Sequence, residues 1–138
     1  MTLHPDFPVV SGDYQLSADW SVTLPGEMKR RIEDQDLVLW RPGVTVWLSL
    51  WNNDNAETAE QRIEWLSSDV SVDAFDQSVQ TESSPAKYSY RLNEEREGGV
   101  VYALYGFALK DDGHLQVAIY LDDENDVESA ASLFQSIR

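Results

Sequence analysis

Val100-Val101-Tyr102-Ala103-Leu104-Tyr105-Gly106-Phe107-Ala108-Leu109 is apolar or aromatic at both alternating sets of positions. Successive side chains of a strand point to opposite faces, so a strand written this way is stable only when both faces are covered. The run therefore predicts a central sheet with material packed above and below it. Downstream, Lys110-Asp111-Asp112-Gly113 reads as a hairpin turn, with Gly113 expected in a left-handed conformation. Leu115, Val117, Ile119 and Leu121 then form the inward set of a returning strand. Val127, Ala130, Ala131, Phe134 and Ile137 fall on one face of a closing helix, and Asn125 and Glu128 have capping-box spacing before it.

Upstream, Tyr88, Tyr90 and Leu92 alternate with Lys87, Ser89, Arg91 and Asn93, giving a strand with one polar face. Leu37–Trp40 and Val44–Trp51 flank Arg41-Pro42-Gly43, a type II turn in which Gly43 takes the positive φ. Ala56, Ala59, Ile63, Leu66 and Val70 share a helical face, with Asp54 or Asn55 as the expected N-cap. Residues 71–86 read as a loop or a short strand anchored by Val72, Phe75 and Val79. Near the start, Tyr14–Leu16 and Trp20–Leu24 alternate and stop at Pro25-Gly26, Met28–Glu33 reads as a further strand, and residues 1–13 read as an irregular leader. No internal repeat is visible. The expectation is a single α+β domain over residues 14–138, a mainly antiparallel β-sheet sandwiched between α-helices.

The 138 residues suit one domain, and 42% hydrophobic content with five Trp and six Tyr supplies a core. Cysteine is absent, which removes disulfides, thiolate catalysis and cysteine zinc sites. No stretch approaches the ~20 apolar residues that span a bilayer. The net charge of −15, from 25 acids and 10 bases, repels phosphate backbones and anionic lipid. These features point to a cytoplasmic bacterial protein that binds neither nucleic acid nor membrane, and whose partner is a protein, basic in character, or a second copy of the chain.

The opening Trp20-Ser21-Val22-Thr23-Leu24-Pro25, the returning strand Leu115-Gln116-Val117-Ala118-Ile119-Tyr120 and the final Phe134-Gln135-Ser136-Ile137 are similar to the PsbP and Mog superfamily. Tyr14-Gln15-Leu16 followed by Leu24-Pro25 resembles its DcrB-like branch, whereas the basic Lys29-Arg30-Arg31 departs from it. The resemblance implies an α/β/α sandwich and a binding or assembly role without an active site, such as a secretion-effector chaperone. It assigns no functional residue.

Trp47 and Trp51 share one face of their strand with Thr45 and Ser49, while Val44, Val46, Leu48 and Leu50 occupy the other. A three-layer domain places a helix over that face, with Trp65 filling part of the layer. Left uncovered, the four residues would form a partner-binding platform, because Trp is enriched at binding hot spots. Asp122-Asp123-Glu124-Asn125-Asp126 lacks the glycine and glutamate of an EF-hand and reads as a solvated helix start rather than a metal loop. His4 and His114 are expected in solvent, and no Gly-x-Ser-x-Gly or phosphate-cradling loop occurs. The sequence thus assigns no catalytic, cofactor or metal residue. It points to a non-enzymatic accessory protein, with two alternatives: an acidic immunity protein neutralising a basic toxin, or a small carboxylate-dependent hydrolase.

Overall fold

Alternating apolar runs and short turns build most of the chain into two four-stranded antiparallel meanders that join in one sheet. The computed structural model describes residues 8–138, so leader residues 1–7, with His4, lie outside the description. The strands are β1 (Val9–Gln15), β2 (Ser21–Glu33), β3 (Asp36–Arg41), β4 (Val44–Asn52), β5 (Phe75–Gln80), β6 (Ala86–Arg96), β7 (Gly99–Lys110) and β8 (Gly113–Leu121). Helix α1 (Ala59–Ser68) follows β4, and helix α2 (Val127–Gln135) follows β8 after a 3-10 turn at Glu124–Asp126. All eight strands form a single sheet in the order β1-β2-β3-β4-β8-β7-β6-β5. Four strands and a helix therefore occur twice in succession, with β4 and β8 paired at the centre.

The turns explain the register. Asp34 and Gln35, at φ 49° and 74°, link β2 to β3, and Gly43, at φ 80°, takes the left-handed place read for it in the β3–β4 turn. Gly113 is needed for a different reason from the one expected. It is absent from the positive-φ positions, but a Cβ there would lie 2.4 Å from the backbone oxygen of Trp51. Pro25-Gly26 does not end the strand. It sits inside β2 at the irregularity opposite Val10–Gly12, before the Lys29–Glu33 segment that pairs with β3, so the missing proline N–H breaks no β2–β3 bond. Residues 9–13 are strand rather than leader; on an edge strand exposed on both sides they show no apolar alternation.

The sheet has one deep face. Val22, Leu24, Met28, Leu39, Val46, Leu48, Leu104, Ala108, Leu115, Val117, Ile119 and Leu121 pack there against Ala130, Leu133, Phe134 and Ile137 of the C-terminal segment. Gly106 permits the contact, because a Cβ would approach the Phe134 ring to 2.4 Å. The sheet curls around α2: Lys110, at the end of β7, places its ammonium 4.2 Å from the ring centroid of Trp20, just before β2, although three strands separate β2 from β7. Reciprocal backbone bonds between Ser21 and Arg138 (2.7 and 3.0 Å) and the bond from Lys87 Nζ to the Gln135 carbonyl (2.7 Å) pin the end of α2.

The expected α/β/α sandwich is corrected by this architecture, and with it the PsbP-like fold. Eight strands span ~35 Å, whereas a helix covers ~10 Å of that width. Helices of 10 and 9 residues cannot make two layers over such a sheet, and the fold is predominantly β. The deep face is closed by curvature as much as by α2. The Val100–Leu109 run is sealed toward its end, but Val100 is 42% exposed. The caps also differ from expectation. Thr58 and Gln61 form the capping box of α1, and no side chain caps α2.

Candidate functional site

On the opposite face the paired registers define four cross-strand rows. Thr45, Tyr120, Ala103 and Leu92 make the first row, and Trp47, Ala118, Tyr105 and Tyr90 the second. Ser49, Gln116, Phe107 and Tyr88 make the third, and Trp51, His114, Leu109 and Ala86 the fourth. Helix α1 leaves β4 at the fourth-row end and turns back over only the last two rows. Its Ile63 packs with Ala86, Tyr88, Phe107 and Leu109. Arg62 fixes it there, donating from Nη1 to the Gly113 carbonyl (3.1 Å) and from Nη2 to the Lys110 carbonyl (2.7 Å). Asn53 adds bonds to the carbonyls of Glu57 (2.9 Å) and Asp111 (2.8 Å). Tyr90 of row two packs against the edge of this cluster, and the rest of rows one and two lies outside it.

What remains open is an aromatic surface. Trp40, opposite Thr45 on β3, extends the first row, and Trp40, Thr45, Trp47, Tyr90, Tyr105 and Tyr120 are all half-buried. Tyr90 stacks on Tyr105 (5.3 Å between centroids), which meets Tyr120 edge-on (5.9 Å). Gly43, Thr45, Trp47, Arg96, Val101, Tyr120 and Asp122 line a cleft of about 450 Å³. Arginines border it. The Arg31 guanidinium lies 4.8 Å from the Trp40 ring and 6.0 Å from that of Trp47, and Arg96 lies 5.0 Å from Tyr120.

Tyr105 and Glu94 are bonded to each other and shifted in opposite directions. Tyr105 donates its phenolic proton to Glu94 and lies 3.4 Å from the Tyr120 hydroxyl. Burial first, and the bond to Glu94 second, push the Tyr105 phenol far above its usual range. Burial opposes the charge on Glu94, but the hydrogen bonds from Tyr105 and Arg96 outweigh it and keep the carboxyl below its usual value. At pH 7 the Tyr105 phenol is therefore neutral and the Glu94 carboxylate charged. Among the described residues no group of three His, Asp or Glu side chains could hold a metal ion.

The four residues singled out from sequence do share this face, but the structure separates them. Thr45 and Trp47 lie in the open half. Ser49 donates to Asp36 (2.8 Å). Trp51 stands at the α1 end, 55% exposed, with its ring stacked on His114 (6.3 Å). Trp65 does not fill a layer; it is 44% exposed and meets His114 edge-on. His114 is not solvated as expected but only 5% exposed, enclosed by Trp51, Trp65 and Phe107. Its burial, with Arg62 nearby, lowers its pKa to about 4, and its Nδ1 has no hydrogen-bond partner. Lys29-Arg30-Arg31 is part of β2, where the Arg31 guanidinium lies over Trp40. Tyr120, Tyr105, Glu94, Arg96 and Asp122 were missed. Alternation places Tyr120 outward on its strand, but only the β4–β8, β7–β8 and β6–β7 pairings bring these residues beside Trp47.

No family model matches the chain, and no curated protein matches it. Among solved structures, a Bacteroides thetaiotaomicron VPI-5482 protein, determined by crystallography at 1.50 Å resolution, matches 94% of this chain with a TM-score of 0.70 and 11% identity. The match covers 48% of that protein, so this chain spans about half its length. At that identity the likeness shows a shared fold. No helix among the described residues is long and apolar enough to cross a membrane.

Proposed function

We propose that the chain is a non-catalytic protein-binding module whose working surface is the uncovered aromatic half of the sheet around Thr45, Trp47 and Tyr120. The observation that supports this reading is the half-buried row of Trp and Tyr rings that α1 leaves open, edged by arginines and carboxylates. Large aromatic side chains with a polar rim are the usual composition of a binding hot spot. The net charge of −15 favours a basic protein as partner and speeds its approach. In a bacterial cytoplasm, a secretion effector held by an accessory chaperone or a toxin held by an immunity protein would fit this description. Glu94 is held below its usual value by Tyr105 and Arg96, the opposite of the raised pKa that the general acid of a carboxylate hydrolase needs.

Affinity capture compared by quantitative mass spectrometry tests the reading. Tagged wild type should retain a partner that the Trp47→Ala/Tyr120→Ala variant loses and that Trp65→Ala, on the covered half, retains. Purified complex should weaken steeply as salt rises, because steering by exposed charge is screened. A partner retained equally by all three proteins would place the binding surface elsewhere.

A further inference from the structure

Three arginines of this sheet lie on aromatic rings with a carboxylate alongside. Arg31 lies over Trp40 and pairs with Glu33 at 2.9 Å, and Arg96 lies over Tyr120 and pairs with Glu94 at 2.8 Å. Arg91 lies over Phe75 and pairs with Asp76 at 3.3 Å. Arg31 and Arg96 flank the cleft. Such a ring-and-carboxylate arrangement is what a guanidinium requires: a flat π-face to stack on and an anion to receive its fork of donors. Asp122 adds a carboxylate to the same cleft, beside Tyr120 and Thr45, and takes part in no ion pair among the described residues.

We infer that the cleft receives arginine side chains of the basic partner, one guanidinium taking the place on Tyr120 that Arg96 holds in the free protein, with Glu94 and Asp122 as its carboxylates. The inference rests on the binding role proposed above and names the chemistry that role recognises. Exchange is feasible because the Arg96 side chain is 49% exposed, and exposed ion pairs are weak. Arginine is selected over lysine because an ammonium neither stacks flat on a ring nor bridges two carboxylate oxygens.

Nona-arginine and nona-lysine peptides, matched in charge, separate this from general attraction to an acidic protein. Calorimetry and tryptophan fluorescence on the full chain should show nona-arginine binding about five- to tenfold tighter than nona-lysine. Arg96→Ala should tighten nona-arginine binding by about two- to fivefold. Arg138→Ala, which changes net charge equally at a distance from the cleft, should do so distinctly less, and Tyr120→Leu should remove the arginine preference. Arg96→Gln serves as a second test of the exchange, with folding of every variant checked by circular dichroism. Equal affinity for the two peptides, or equal gains from Arg96→Ala and Arg138→Ala, would overturn the inference. If the arginine preference is absent while Trp47→Ala/Tyr120→Ala still loses the natural partner, only the arginine assignment falls. If that partner is retained, both proposals fall.

Discussion

Acidification from pH 7.5 to pH 4 should destabilise this protein through His114 in particular. The imidazole is buried among Trp51, Trp65 and Phe107, and its folded-state pKa of about 4 lies below the unfolded value of 6.5. The pKa is depressed, so the neutral form is favoured in the folded state and the proton binds more tightly to the unfolded chain. Above pH 6.5 both states are neutral and the group contributes no pH dependence. As pH falls below 6.5 the unfolded chain takes up the proton first, and stability drops until the folded pKa is reached. Linkage gives a loss of ~1.4 kcal/mol at pH 5.5 and ~3 kcal/mol at pH 4. Urea unfolding monitored by tryptophan fluorescence across this range measures it, with His114→Leu as the reference. Leucine suits an apolar cage and removes the unpartnered Nδ1, so the variant should lack this component while keeping the acid sensitivity of its carboxylates. Wild type and His114→Leu losing stability in parallel from pH 6.5 to 4 would refute the argument. A titration of His114 by NMR with a midpoint near 6.5 would refute it as well.

Two further outcomes follow from the packing. Gly106→Ala would put a methyl group 2.4, 2.6 and 2.8 Å from three ring carbons of Phe134, a side chain only 1% exposed. Overpacking of this kind costs ~1–3 kcal/mol, so calorimetry should show a melting temperature lower by ~3–10 °C, partly recovered when Phe134→Leu is added. Arg62→Leu strips the carbonyls of Lys110 and Gly113 of their buried donor, and chemical denaturation should register a loss of ~2 kcal/mol or more, with amide exchange speeding up in α1.

Local periodicity made most strands legible. Alternation identified β4, β6 and β8, the Pro42-Gly43 turn placed β3 beside β4, and the Phe134 face marked α2. It failed where local signals are weak or mimic something else. β1 and β5 are edge strands with little burial and so show no apolar alternation, and Pro25-Gly26 looks like a turn because a strand irregularity uses the same residues. Two helical stripes suggested two full layers, since a stripe records that a helix packs but not how much sheet it covers. Of the candidate site, Thr45 and Trp47 were readable from one strand. Their companions lie as far as 77 residues along the chain (Thr45 to Asp122), and strand pairing brings them together.

The chain by itself determined that its strands carry apolar side chains on two faces, that it is strongly acidic, and that Trp47 stands opposite the deep core. These follow from covalent order and from the two-residue period of a strand. Tertiary structure alone decided that β4 and β8 meet at the centre, that Ile63 of α1 packs at the third and fourth rows, and that Arg31 and Arg96 lie on half-buried rings. Pairing partners and helix reach depend on how a whole sheet curls to bury its larger apolar face. That is a property of all eight strands together, and no window of sequence contains it.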